Sequence, residues 1–198
     1  MPQARTRKIV ITGVLSAISI FLGLTPLGFI PWAGASLTIM HIPVILGAVL
    51  EGPVVGLVVG LIFGLSSMIR AAVAPTSPLD VAFTNPLISV FPRLFIGPVA
   101  WLIWSGLKRW PVIGLIGAGL GGSITNTVLV LGMIGLVPSA LGILRDITAA
   151  GDTPTIALLW AIALANGLPE AIASAILVLA VAAAWWGLRV GRRKQANL

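Results

Sequence analysis

From Ile9 to Leu50 the chain carries no Asp, Glu, Lys or Arg. A helix needs only about 20 mainly apolar residues to cross the roughly 30 Å hydrocarbon core of a bilayer, so this stretch is too long for one crossing and too apolar for a soluble surface. Pro26, Gly28 and Pro31 interrupt it. The break predicts two helices, about Lys8–Leu24 and Leu37–Leu50, joined by a loop that carries Trp32. Composition extends the argument to the whole chain. Of its 198 residues 58% are hydrophobic and 9% charged, against about 25% charged in soluble domains, and the mean hydropathy is +1.11. Lipid is therefore the expected solvent, and a separate soluble catalytic or nucleotide-binding domain has no room.

Four further spans follow from the punctuation. Glu51-Gly52-Pro53 reads as a tight turn into a third helix, about Val54–Ala72. Asn85-Pro86 reads as the cap and first turn of a fourth, ending near Leu107. Lys108-Arg109-Trp110-Pro111 is a second short turn, and a fifth span lies within Val112–Leu136. The last apolar run, about Thr155–Leu188, has Glu170 as its sole charge and at about 1.5 Å per residue exceeds the bilayer, which predicts tilt or a kink at Pro169. The expected fold is an all-α bundle of six transmembrane helices forming one domain over residues 1–198, with basic tails at 1–7 and 189–198.

Twelve Lys and Arg against five Asp and Glu give a net charge of +7, which in a soluble protein would point to nucleic acid. Their positions point elsewhere. Arg5, Arg7 and Lys8 precede the first run, Lys108 and Arg109 sit in a turn, and Arg189, Arg192, Arg193 and Lys194 lie at the end. The positive-inside rule then puts both termini, Glu51 and the Lys108 turn in the cytoplasm, and the longer loops with Trp32, Arg70, Asp80 and Arg145 outside. Elaborated external loops suit a protein that captures something from outside.

Ionisable groups at membrane depth are costly and are functional candidates by default. Arg93 lies within the fourth span, where Asn85, Ser89 and Arg93 recur every fourth residue. Glu170 lies midway along the sixth, one turn after Asn166. Gly119, Gly122, Ser123 and Asn126 form a small, polar strip on the fifth. Together these stripes can line a polar cavity. Arg93 and Glu170 either form a structural ion pair or present a donor fork and an acceptor to a ligand, with Asn85, Asn126 and Asn166 completing the hydrogen bonds; both readings stand at this stage. Trp32 and Trp160, on the external side, are candidates for stacking on a ligand ring. His41 reads as a structural histidine. Gly56, Gly60 and Gly64 share a helix face, as do Gly13 and Ala17, and such faces permit close helix approach within the bundle or against another subunit.

The chain lacks cysteine, a phosphate-binding Gly-x-x-x-x-Gly-Lys-Ser/Thr loop and a Gly-x-Ser-x-Gly elbow paired with a histidine at comparable depth. An enzyme, a metal site or a bound cofactor is not expected. Two other classes remain: a self-sufficient secondary transporter or channel with Arg93 and Glu170 as its coupling-ion site, and a membrane scaffold whose polar cluster is structural.

Met40-His41-Ile42-Pro43-Val44-Ile45-Leu46-Gly47-Ala48, Glu51-Gly52-Pro53-Val54-Val55-Gly56, Phe63-Gly64-Leu65-Ser66-Ser67 and, most specifically, the block from Phe83-Thr84-Asn85-Pro86-Leu87 through Pro92-Arg93 to Gly97 resemble the substrate-binding S components of energy-coupling factor (ECF) vitamin transporters. The resemblance implies a multi-pass subunit of the prokaryotic plasma membrane that binds a vitamin from outside. It also implies association with a transmembrane coupling subunit and two cytoplasmic ATPases, which supply the energy this chain cannot, and toppling in the membrane to release the substrate. The family's Ala-x-x-x-Ala contact with the coupling subunit falls on Gly13 and Ala17. The Asn85–Arg93 block looks most like the pantothenate subgroup; cobalamin, folate and riboflavin binders share the architecture. Lipid is the other expected partner, and nucleic acid is not one.

Overall fold

In the computed structural model the described residues are 2–32, 35–75, 77–149 and 154–187. The basic segment Arg189–Lys194 and Asp152 lie outside them. Helix α1 (Pro2–Leu24) is followed by a hairpin of β1 (Phe29–Trp32) and β2 (Ala35–Thr38), then α2 (Ile42–Glu51), α3 (Pro53–Val73), the short α4 (Pro86–Ser89), α5 (Phe91–Gly106) and α6 (Pro111–Leu136). After α7 (Pro138–Ala149), α8 (Thr155–Ile162) runs through a π-helical turn at Ala163–Gly167 into α9 (Leu168–Trp186). Proline at the first or second position starts α2, α3, α4, α5 and α6, where its missing N–H costs nothing and its fixed φ suits the helix.

Among the described residues five helical segments are long and apolar enough to cross a membrane: Arg5–Leu24, Pro53–Val73, Pro86–Gly106, Pro111–Leu136 and Thr155–Trp186. The second expected span differs. The Leu37–Leu50 expectation becomes a ten-residue helix, Ile42–Glu51, preceded by an antiparallel hairpin that pairs Phe29 with Thr38 and Trp32 with Ala35. The bundle is otherwise helical as expected, and this short hairpin is a local addition to it. Its physical cause is the Pro26–Pro31 break, which ends α1 and leaves an extended segment to pair with itself.

Helix α2 is the centre of the bundle. Every residue from Ile42 to Val49 is buried, and Val44, Ile45 and Ala48 are fully so, as expected for a helix apolar all round. It runs antiparallel to α1: the Ser19 hydroxyl donates to the Met40 carbonyl (3.1 Å), while Arg7 near the start of α1 pairs with Glu51 at the end of α2 (2.7 Å). Helices α3 and α5 touch backbone to backbone. A Cβ placed on Gly56 would lie 2.9 Å from the Gly97 Cα, one on Gly64 2.8 Å from the Val90 Cα, and one on Gly60 would collide with the Arg93 carbonyl oxygen. The glycine face of α3 is therefore an internal contact. The start of α1, the α2–α3 turn and the end of α9 share one end of the bundle, where Arg7 lies 6.0 Å from the Trp185 ring centre and Trp104 stacks on Trp186.

Candidate substrate-binding site

At the opposite end of the bundle lies a cavity of about 260 Å³. Helix α3 contributes Phe63, Ser67 and Arg70; the 3-10 segment Pro78–Thr84 contributes Asp80 and Phe83; Arg93 comes from α5, Asn126 from α6, Asn166 from the π turn, Glu170 from α9 and Thr38 from β2. Four of the residues expected from sequence meet here: Arg93, Asn126, Asn166 and Glu170.

Arg93 is 5% exposed. The Gly60 crossing brings its backbone against α3, and the side chain turns back so that Nη1–H donates to the Ile88 carbonyl. The guanidinium carbon lies 5.3 Å from the Phe63 ring centre and 5.2 Å from that of Phe83, within the distance at which a cation is attracted by a ring face. Nε has no hydrogen-bond partner among the described residues. Glu170 is held from a different direction: the Thr38 N–H (2.8 Å) and hydroxyl (2.6 Å) both donate to Oε1. Among the described residues Arg93 and Glu170 do not form an ion pair within 4 Å. Each is oriented by other groups. The Oδ1 atoms of Asn126 and Asn166 are likewise buried without partners, the pattern of a site whose hydrogen bonds are completed by something else, since buried polar atoms are normally satisfied.

The other expected site residues lie elsewhere. Asn85 caps α4, its Oδ1 accepting from the Leu87 N–H (2.9 Å), and does not line the cavity. Ser89 is fully buried beside α3. Both leave the expected stripe because α4 ends at Ser89 and α5 starts at Phe91, so Asn85, Ser89 and Arg93 do not share one unbroken helix. Trp160 is 65% exposed on α8 and away from the cavity. Trp32 pairs in the hairpin through its backbone; its side chain lies outside what is described. His41 is buried, with Nε2 2.6 Å from the Ser174 hydroxyl, and ties α2 to α9. Gly13 and Ala17 are exposed on α1, and Gly13 borders an outer groove between α1 and α3.

Sequence reasoning missed Thr38, Phe63 and Phe83. The Phe-Gly-Leu-Ser-Ser run held a signal for Phe63, a large ring one turn from the glycine that lets α5 approach; Thr38 left no signal, because its role exists only once the hairpin folds back onto α9.

The sequence model for the ECF transporter substrate-specific component matches residues 7–182. The chain belongs to that family. No curated protein matches it. Membership makes this multi-pass protein a substrate-binding subunit of an ECF transporter rather than an enzyme, and implies association with a coupling subunit and ATPases. That makes the concave, polar-floored cavity the candidate substrate site.

Proposed function

We propose that this S component captures pantothenate from the external face and passes it inward with a membrane-embedded coupling subunit and two cytoplasmic ATPases. The observation that carries the reading is Arg93: its faces lie toward Phe63 and Phe83 and Nη1 is occupied by Ile88, so the unpartnered Nε edge is left to bind an acceptor such as a carboxylate. Around it, Asn126, Asn166 and Glu170 offer hydrogen bonds to hydroxyl and amide groups. The cavity, at about 260 Å³, sits just under the roughly 300–1,000 Å³ of ordinary ligand pockets, which favours a small single-carboxylate vitamin over a corrinoid.

Six crossings with both termini cytoplasmic complete the proposal. Helix α2 spans only about 15 Å at 1.5 Å per residue, and β2 adds about 13 Å, together near the hydrocarbon thickness. Extended backbone is tolerated at that depth where protein or a cavity encloses it, and Thr38 both lines the cavity and donates to Glu170. The exposed Gly13/Ala17 face of α1 is the proposed seat of the coupling subunit.

The test is calorimetric titration of the purified protein in nanodiscs. Wild type is expected to bind pantothenate without ATP, and Arg93→Ala to lose about tenfold to a hundredfold in affinity, the worth of hydrogen bonds to a charged group. Near-wild-type affinity in Arg93→Ala discards the carboxylate clamp. Concentrative uptake by this chain alone in liposomes would discard the dependence on partners and favour a secondary transporter.

A further inference from the structure

The apolar rod from Thr155 to Trp186 is continuous but not uniform: α8 and α9 are joined by the π-helical turn at Ala163–Gly167, and Pro169 is the second residue of α9. The two features are linked. In a regular α-helix the Pro169 ring presses on the Ala165 carbonyl and offers it no N–H. A wide turn directly upstream, with i to i+5 pairing, takes up one extra residue and relieves that clash.

The wide turn also changes phase. Along an α-helix, positions four apart drift by about 40°, so Ile162 and Glu170 would face about 80° apart. A wider turn holds more residues and cancels part of that drift. Ile162, Asn166 and Glu170 accordingly border the same cavity, while Leu164 and Leu168 are 62% and 59% exposed. Gly167 lets the turn seat against α6, since a Cβ there would lie 2.8 Å from Thr127 Cγ2. The residue carried inward is Asn166, whose Oδ1 is buried and unpartnered.

We infer that Pro169 is a positioning residue for substrate: by enforcing the π turn it aims the Asn166 amide into the cavity, and Asn166 reads a polar group of the ligand. The inference rests on the cavity being the substrate site.

The experiment compares Asn166→Ala, Pro169→Ala, deletion of Leu164, and each of the latter two combined with Asn166→Ala, by pantothenate titration in nanodiscs. It adds hydrogen exchange of the ligand-free proteins. Asn166→Ala is expected to weaken binding about tenfold, the loss of one hydrogen bond. Deletion of Leu164 removes the surplus residue on the lipid side and is expected to weaken binding similarly; Pro169→Ala acts in the same direction and less. Neither adds to Asn166→Ala in the double variant, because all act through one amide. Exchange at Asn166 and Gly167 is expected to slow when the wide turn closes.

Wild-type affinity in Asn166→Ala, effects that multiply in the doubles, or unchanged exchange would overturn the inference. If the deletion does not fold, Pro169→Ala and its double with Asn166→Ala decide it. A wild type that ignores pantothenate sinks the substrate assignment alone, and the exchange comparison then decides whether Pro169 sets the turn.

Discussion

Two arginine–glutamate couples sit at opposite ends of this bundle and are built in opposite ways. Arg7 and Glu51 touch at 2.7 Å, with Arg7 half exposed and leaning toward Trp185. Arg93 and Glu170 are both buried, face one cavity and do not touch; Ile88, Phe63 and Phe83 hold the first, and Thr38 holds the second. A charge that meets its partner is finished chemistry. Charges held apart by other groups keep binding capacity at membrane depth, where leaving polar groups unsatisfied is costly, and on the proposed reading the second couple is the ligand-binding one.

The contrast breaks most completely at the helix crossing beneath it. Gly60→Val is expected to force α3 off the Arg93 carbonyl, costing on the order of 1–3 kcal/mol or more from overpacking and abolishing binding; thermal unfolding and titration of the same sample check both. A stable variant that binds normally would show that the tight crossing does not set the position of Arg93. Next in size is the pairwise comparison of the couples. Arg93→Ala should remove most affinity, whereas Arg7→Ala should leave affinity unchanged and cost on the order of 1–3 kcal/mol of stability, because it leaves the buried Glu51 carboxylate without its partner. Equal effects on binding would erase the distinction. Thr38→Val removes the hydroxyl donor to Glu170 but keeps the N–H, and a loss of about tenfold in affinity is expected, the low end for a hydrogen bond to a charged group. Trp160→Ala should do least, with affinity unchanged, because the ring lies away from the cavity; a clear loss would return stacking to the site.

Much of the lining of this candidate site was legible before any coordinates. Arg93, Asn126, Asn166 and Glu170 stand out because polar side chains on membrane spans need a reason to be there, and all four reach the cavity. Asn85 and Ser89 were drawn in by spacing alone, and spacing assumes an unbroken helix. The Asn-Pro pair capped a four-residue helix instead, so Asn85 spent its side chain on the Leu87 N–H. The second span was misjudged in form for a related reason: hydropathy reports burial of a segment, and α2 is buried by protein although it is only ten residues long.

By itself, the sequence determined that the protein lives in a bilayer, where the helices break, which end gathers the positive charge, and which side chains are too polar to face lipid, because each follows from local composition and transfer free energy. Only the tertiary structure decided what each polar group meets. That Thr38 from a hairpin reaches Glu170 from the last helix, that two phenylalanines from different segments flank Arg93, and that a π turn delivers Asn166 to the same cavity are consequences of packing between distant segments, and no local pattern encodes the distance between them.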